Sequence, residues 1–436
     1  MKKEISSRFL QQPATKIGRW SGGLALLSMV MLALNNFGLN PFNQMSGKLQ
    51  PILVTAWDMI MLGSLLAGIV LGIIAVTRKR ERSWIAWLFM IPLVFLLLLL
   101  AAFLHEVITS RQPMRAQTAP TPDARIVRTP VFFDDDGSPD GTSALLFLLS
   151  DPRAEVNAVS MSYGEAHPQI YIQHLGALLE RAGYGDIPLG AGQDAPLAGN
   201  NAFPNKVREG SNDFWGFPSG SANNSYPVED SAALLVKICE EADKPLTLLV
   251  TGSLTNLAQA LRLEPGIKNK IAAVYIMGGA VYTDGNIKGL IPESQNNSAE
   301  WNIFADPLAA SEVFASGLPL YLVPLDATNQ VNLNKQNTRA WRKGGSIPDF
   351  AADIYDSRME SWNRDEIEFW DLMTAEIMLN PAHCVFTPLH LEVVTEEGNT
   401  QGQTRAVDGT ANVNVCLEPD VEAIKQELSR VFNSRK

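Results

Sequence analysis

Cysteine and histidine are scarce in this chain of 436 residues, which has three of the first and five of the second. Cys239, Cys384 and Cys416 follow no metal-binding spacing, and three thiols are too few for a disulfide framework. A single Cys384–Cys416 bridge and isolated packed thiols stand as equal alternatives. Basic charge is also short where the chain is longest. Residues 111–436 carry 25 Lys or Arg against 42 acids, whereas residues 1–110 carry ten against four. The balances of −17 and +6 make up the formal −11 of the whole. So large an excess of carboxylates repels a phosphate backbone, which excludes nucleic acid as a partner of the C-terminal part. A small neutral substrate or a cation suits it better.

The first part contains three long apolar runs, at about 20–39, 52–76 and 84–104, each near the ~20 residues that cross a bilayer as a helix. The third is uncharged from Ile91 to Leu104 and has Trp84 and Trp87 at its entry, where amphipathic rings favour the interface. Asn35 and Asn36 interrupt the first, and Asp58 lies near the start of the second. No small-residue cleavage site leads from the first run into a soluble domain, which argues against a removed signal peptide. Residues 1–108 are therefore expected to form a three-helix anchor in the lipid bilayer.

Lys and Arg resist translocation. Five of them precede the first run and Arg78, Lys79, Arg80 and Arg82 separate the second from the third, while only Lys48 lies between the first and second. The N-terminus is thus expected in the cytoplasm and the C-terminal part outside it. Prolines 113, 120 and 122 mark 109–127 as an extended linker, leaving 128–436 as one domain.

Beyond the linker, strand-like apolar runs at 131–133, 156–161, 246–250, 271–277 and 318–325 alternate with helical stretches at 144–149, 169–182 and 231–242. This alternation predicts an α/β fold with an open, mostly parallel sheet. Ligands of such sheets bind at the carboxyl ends of strands, which brings Asp134, Asp135, Asp136, Asp140, Thr251 and Asp326 to one rim. Four carboxylates within 134–140 repel one another unless a cation lies among them, and all-oxygen ligands suit Ca²⁺. The plainer alternative is an acidic turn capping the following helix.

The run FDDDGSPDGTSAL from Phe133 resembles the aspartate signature D-x-D-P-G-x-D-D of inosine-uridine-type nucleoside hydrolases. Four further blocks of that family follow in order: VTGSLTNLA from Val250, IMGGA from Ile276 with Gly285-Asn286, AEWNIFADP from Ala299 and VPLDAT from Val323, and the pair Trp370-Asp371 comes after them. The similarity extends over about 128–433. It implies a Rossmann-like nucleoside hydrolase fold and calcium-dependent cleavage of ribonucleosides to ribose and base. Asp136 corresponds to the aspartate that binds calcium and activates water, Thr251 to a carbonyl ligand and Asp371 to the late aspartate ligand. Asp140, Asn286, Glu300 and Asn302 correspond to residues that hold the ribose hydroxyls. The family also admits a homo-oligomer.

Three positions depart from the pattern. Gly141 replaces the last signature aspartate, itself a calcium ligand. Glu165 stands where the family commonly has asparagine and is a candidate for the missing charge. Trp370 replaces a histidine that protonates the leaving base in several members; an indole can stack on a base but not protonate it. Among the histidines His167, two residues after Glu165, is the one candidate acid. Asp213, Phe214 and Trp215 fall where the family has a substrate loop. The long run 288–298 leaves Asn296 and Asn297 as rivals of Asn286. Two functions compete: an extracytoplasmic nucleosidase, and a nucleoside- or sugar-binding membrane sensor without turnover, which Gly141 and Trp370 would permit. A transporter is excluded by the small number of helices.

Overall fold

The strand runs are apolar on both faces, the composition of strands covered by helices on either side. In the computed structural model, which describes residues 127–218 and 225–434 together with Leu24, Val70 and Ile74, those runs form the core of one sheet. The chain divides into two units, Met1–Ala124 and Arg125–Lys436. The three expected membrane spans lie outside the described residues, apart from Leu24, Val70 and Ile74, each of which is helical. Among the described residues no helix is long and apolar enough to cross a membrane.

The strands are β1 (Thr129–Asp135), β2 (Ala154–Met161), β3 (Leu189–Ala191), β4 (Glu229–Asp230), β5 (Leu246–Thr251), β6 (Ile271–Met277), β7 (Leu320–Val323), β8 (Asn332–Asn334), β9 (Glu366–Glu368), β10 (Cys384–Val393), β11 (Thr404–Val407) and β12 (Val413–Pro419). Ten make one sheet in the order β11-β10-β12-β7-β6-β5-β1-β2-β3-β4, and β8 pairs with β9 separately. In the large sheet, among the described residues, every neighbour from β12 to β4 is parallel and the pairings of β10 are antiparallel, as is the separate pair β8–β9.

The sheet reverses its winding between β1 and β5. From β1 the chain adds β2, β3 and β4 on one side, then returns to add β5, β6 and β7 on the other. The carboxyl end of that seam is where open α/β sheets leave a crevice. One apolar layer packs the helices Pro139–Ser150 and Trp370–Leu379 on one face, through Leu145, Phe147, Leu372 and Met373. The other packs Leu234, Leu257 and Val313 against Leu248, Val274 and Leu322.

Cys384 and Cys416 form a disulfide between β10 and β12, with Cα atoms 5.8 Å apart, and Cys239 is a free buried thiol. Strand β7 ends at Val323, short of the expected 325, because Pro324 removes the next donor and opens the short helix Leu325–Thr328. Asp326 lies in that helix, where its carboxylate accepts from the N–H groups of Val281 and Tyr282 at 2.8 and 2.7 Å. It is a loop anchor at the rim.

Candidate active site

Strand β1 carries Asp134 and Asp135 to the carboxyl edge with Asp136 just beyond, and the parallel register sets Thr251 of β5 level with Asp135. The chain then turns at Gly137, whose φ of 97° belongs to the left-handed region. A Cβ there would come within 2.4 Å of Ala166 Cβ, so the turn needs glycine for room as well. Ser138 caps the helix Pro139–Ser150 by accepting from Gly141 N–H at 2.7 Å, and the proline at its start has no N–H to lose. Asp140 is thereby fixed in the first turn, where a negative charge suits the helix end.

Asp371 arrives from the first turn of the helix Trp370–Leu379. Its N–H donates to Asp140 Oδ2 at 2.8 Å and its own Oδ2 accepts from Ser138 Oγ at 2.7 Å. The Tyr355 hydroxyl donates to the other Asp140 oxygen. Asp136 Oδ2 accepts from Glu165 N–H at 3.1 Å. The backbone next to Thr251 packs on the same aspartate, since a Cβ on Gly252 would lie 2.6 Å from Asp136 Cβ.

Glu300 and Asn302 close the far side. Glu300 accepts from Gly279 N–H at 2.9 Å and Asn302 N–H at 3.0 Å, while Asn302 Nδ2 donates to Met277 O at 3.0 Å and approaches Thr251 O at 3.4 Å. Asn286 Oδ1 accepts from Trp301 N–H at 3.0 Å, which holds it beside Glu300. Asn296, by contrast, is consumed by its own turn, accepting from Ser298 and Ala299 N–H and donating to Gln401 O. Asn297 is exposed.

Burial dominates the electrostatics. Asp136 and Asp371 are held well above the ordinary carboxylate range, first by desolvation and then by the neighbouring carboxylates Glu165 and Asp135 for the one and Asp140 and Asp135 for the other. Desolvation raises Asp135 and Glu165 to about 7, and raises Asp140 and Glu300 as well. The Arg358 guanidinium opposes that rise at Asp140 and Glu165. Asp134, also raised to about 7 by burial, faces away from this group and binds Ser160 Oγ and Asn256 Nδ2.

A stability prediction follows from these directions. Carboxyls raised in the folded state keep protons that the unfolded chain releases above about pH 4, so their contribution is full below that pH and is lost as pH rises through about 7. In chelator, the melting temperature is expected to be higher at pH 5 than at pH 8, and a flat or rising profile between them would contradict the arrangement.

The family model of the inosine-uridine preferring nucleoside hydrolases matches residues 131–426. The chain belongs to that family. It is a hydrolase acting on N-glycosyl compounds. The pyrimidine-specific ribonucleoside hydrolase RihA of Klebsiella pneumoniae is 30% identical over 318 residues, 69% of this chain and 97% of that relative. RihA of Citrobacter koseri is 30% identical over 63% of this chain and 87% of its own length. Among solved structures, the inosine-uridine preferring nucleoside hydrolase of Bacillus anthracis is 25% identical with a TM-score of 0.61, covering 70% of this chain and 99% of that one. A plant nucleoside hydrolase, PpNRh1, shares the fold at a TM-score of 0.62 and 24% identity over 70% and 99% of the two chains.

In this nucleoside hydrolase the donors at the seam are all oxygen: carboxylates of Asp135, Asp136 and Asp371 and the carbonyl of Thr251. Several buried like charges with one nearby guanidinium call for a hard cation, so the chemistry of the set fits a family that is typically metal-dependent. Among the described residues no group of three or more His, Cys, Asp or Glu side chains is arranged to hold a metal as it stands. The aspartates turn their oxygens to Ser138 Oγ, Gly137 N–H and Glu165 N–H instead.

The remaining candidates divide. Glu165 is half-buried beside the cluster and raises the pKa of Asp136. His167 caps the helix Pro168–Ala182, and its ring meets Asn212 at 2.8 Å and Asp194 at 3.5 Å, neither in the cluster. Trp370 packs on Met277, Ala280 and Leu325 with its Nε1 unpartnered, and Arg358 lies 5.3 Å over its ring. Phe214 and Trp215 both take left-handed φ, 52° and 55°, and Trp215 Nε1 donates to Gly137 O at 3.3 Å, so this turn is tied to the aspartate loop.

Ser138, Tyr355 and Arg358 escaped the sequence reading. Ser138 was legible as a cap before Pro139, but nothing in the amphipathic helix Ser346–Ser361 marks Tyr355 or Arg358. A cleft of about 610 Å³ lined by Phe314, His390, Arg405 and Asn412 contains none of the cluster. The chemistry lies at the strand ends, where the titratable groups converge.

Proposed function

We propose that this chain is a calcium-dependent nucleosidase that hydrolyses ribonucleosides to ribose and free base outside the cytoplasm, carried on a three-helix membrane anchor. What carries the reading is the meeting of Asp136, Asp371 and Thr251 with Glu300 and Asn302 at the winding reversal between β1 and β5. Asp136, Asp371 and the carbonyl of Thr251 would hold a divalent ion, which would supply Lewis acidity toward water and the sugar diol. Asp136 takes the proton of the attacking water, and its neighbours' negative charge stabilises the oxocarbenium-like sugar as the N-glycosidic bond breaks. Asp140, Asn286, Glu300 and Asn302 hold the ribose hydroxyls. Trp370 offers its indole face to the departing base.

The outside placement is supported by the excess of Lys and Arg before and between the expected helices and by the Cys384–Cys416 bridge, since disulfides persist in oxidising compartments. The test is release of reducing sugar by the full chain in detergent from inosine, uridine and nicotinamide riboside. Turnover with calcium that falls to background in chelator is the expected result. Nucleoside binding without any sugar release would replace the enzyme by a sensor, and turnover indifferent to chelator would remove calcium from the mechanism.

A further inference from the structure

The last aspartate of the family signature is glycine here, and the space its side chain would need is already filled. A Cβ on Gly141 would lie 1.7 Å from Asp135 Oδ1, 2.3 Å from Asp135 Cγ and 2.6 Å from Asp135 Oδ2. A side chain at 141 and the Asp135 carboxylate in its present position therefore exclude each other. We propose that Asp135 stands in for the carboxylate missing at 141 and completes the oxygen shell of the divalent cation from the end of β1, an inference that rests on the calcium reading above.

The placement suits that role. Asp135 is wholly buried at the seam, level with Thr251, and its Oδ1 accepts from Thr251 Oγ1 at 2.8 Å while Oδ2 accepts from Gly137 N–H at 2.9 Å. These two bonds fix the carboxylate plane beside the Thr251 backbone. Each carboxylate oxygen has a second lone-pair direction, so both retain capacity for a cation. Asp135 also acts electrostatically on both Asp136 and Asp371, the two carboxylates it would join. Glu165, the other acid of the cluster, acts electrostatically on Asp136 as well, but the three atoms nearest a Cβ at 141 all belong to Asp135. The signature has thus kept its number of carboxylates while moving one from the helix start to the strand end. The triple aspartate and the glycine are two halves of one change.

The experiment is calorimetric titration of calcium chloride into the chelator-stripped full chain in detergent, with circular dichroism to confirm folding. D135S is expected to weaken calcium binding about 100-fold. G141D alone should lower both the melting temperature and the calcium affinity, because its new side chain collides with Asp135. The double variant D135S/G141D should recover most of the affinity, a reciprocity that independent sites do not give. If D135S does not fold, D135N, which keeps the shape and can accept from Gly137 N–H while its amide donates to Thr251 Oγ1, replaces it with the same expected loss. Calcium affinity unchanged in D135S or D135N overturns the inference, as does a folded double variant no better than D135S. The loss appearing instead in E165Q with D135S intact would transfer the role to Glu165. A wild-type chain that binds no calcium would sink the calcium reading itself, a result distinct from these.

Discussion

Asp136→Asn should lower kcat for ribose release by about 10³-fold, within the range a positioned general base contributes, while the chain stays folded. The amide keeps the shape of the carboxylate and can still face Glu165 N–H through its oxygen, so the loss reports the missing proton acceptor and anionic ligand. The same substitution should raise the melting temperature in chelator at pH 8. Asp136 is held well above the ordinary range by burial and by Glu165 and Asp135, so a neutral side chain removes a penalty that grows as pH rises. Lower activity with higher stability in one variant separates a functional strain from a folding defect. Activity within tenfold of wild type would move the base to another carboxylate of the cluster, and a lower melting temperature would contradict the electrostatic account.

The outline of the sheet was legible because its strands are buried on both faces and so lack polar interruptions. The expected 156–161, 246–250 and 271–277 correspond to β2, β5 and β6 to within two residues at either end. The first helix was expected at 144–149 and begins at Pro139, five residues earlier. Its true start is written in Ser-Pro-Asp, a cap, a proline without N–H and an acid in the first turn. Asp136, Asp140, Thr251 and Asp371 could be found because strand ends and a family signature both point to them. Their detailed partnership could not. Tyr355 reaches Asp140 from 215 residues away, and the filling of the space at 141 by Asp135 depends on how a strand end meets a helix start. Linear spacing carries no trace of the Tyr355 contact, since it is set by the packing of the helix Ser346–Ser361 on the helix Pro139–Ser150. The pairing of Cys384 with Cys416 was likewise undecidable in sequence, because only the antiparallel register of β10 on β12 brings the two together.

That bridge makes the remaining large prediction. Cys384 and Cys416 are 32 residues apart, and closing a loop of that length restricts the unfolded chain by about 3.5 kcal/mol. The C384S/C416S variant should therefore lose about 3.5 kcal/mol of stability, which for a domain of this size lowers the melting temperature by roughly 5 °C. Activity at 25 °C should change little, since the bridge ties β10 to β12 near the far edge of the sheet, with β7, β6 and β5 between it and β1. The same pair reports on topology. In cells, a hydrolase domain outside the cytoplasm should hold the bridge oxidised, so that in the chain unfolded by denaturant thiol-reactive maleimide labels Cys384 and Cys416, both buried in the folded domain, only after reduction. Labelling of both without reductant would place the domain on the reducing side and reverse the orientation inferred from Arg78, Lys79, Arg80 and Arg82. Buried Cys239, its thiol pushed up to about 12 chiefly by desolvation, should resist the reagent until the chain is unfolded, which makes it an internal control.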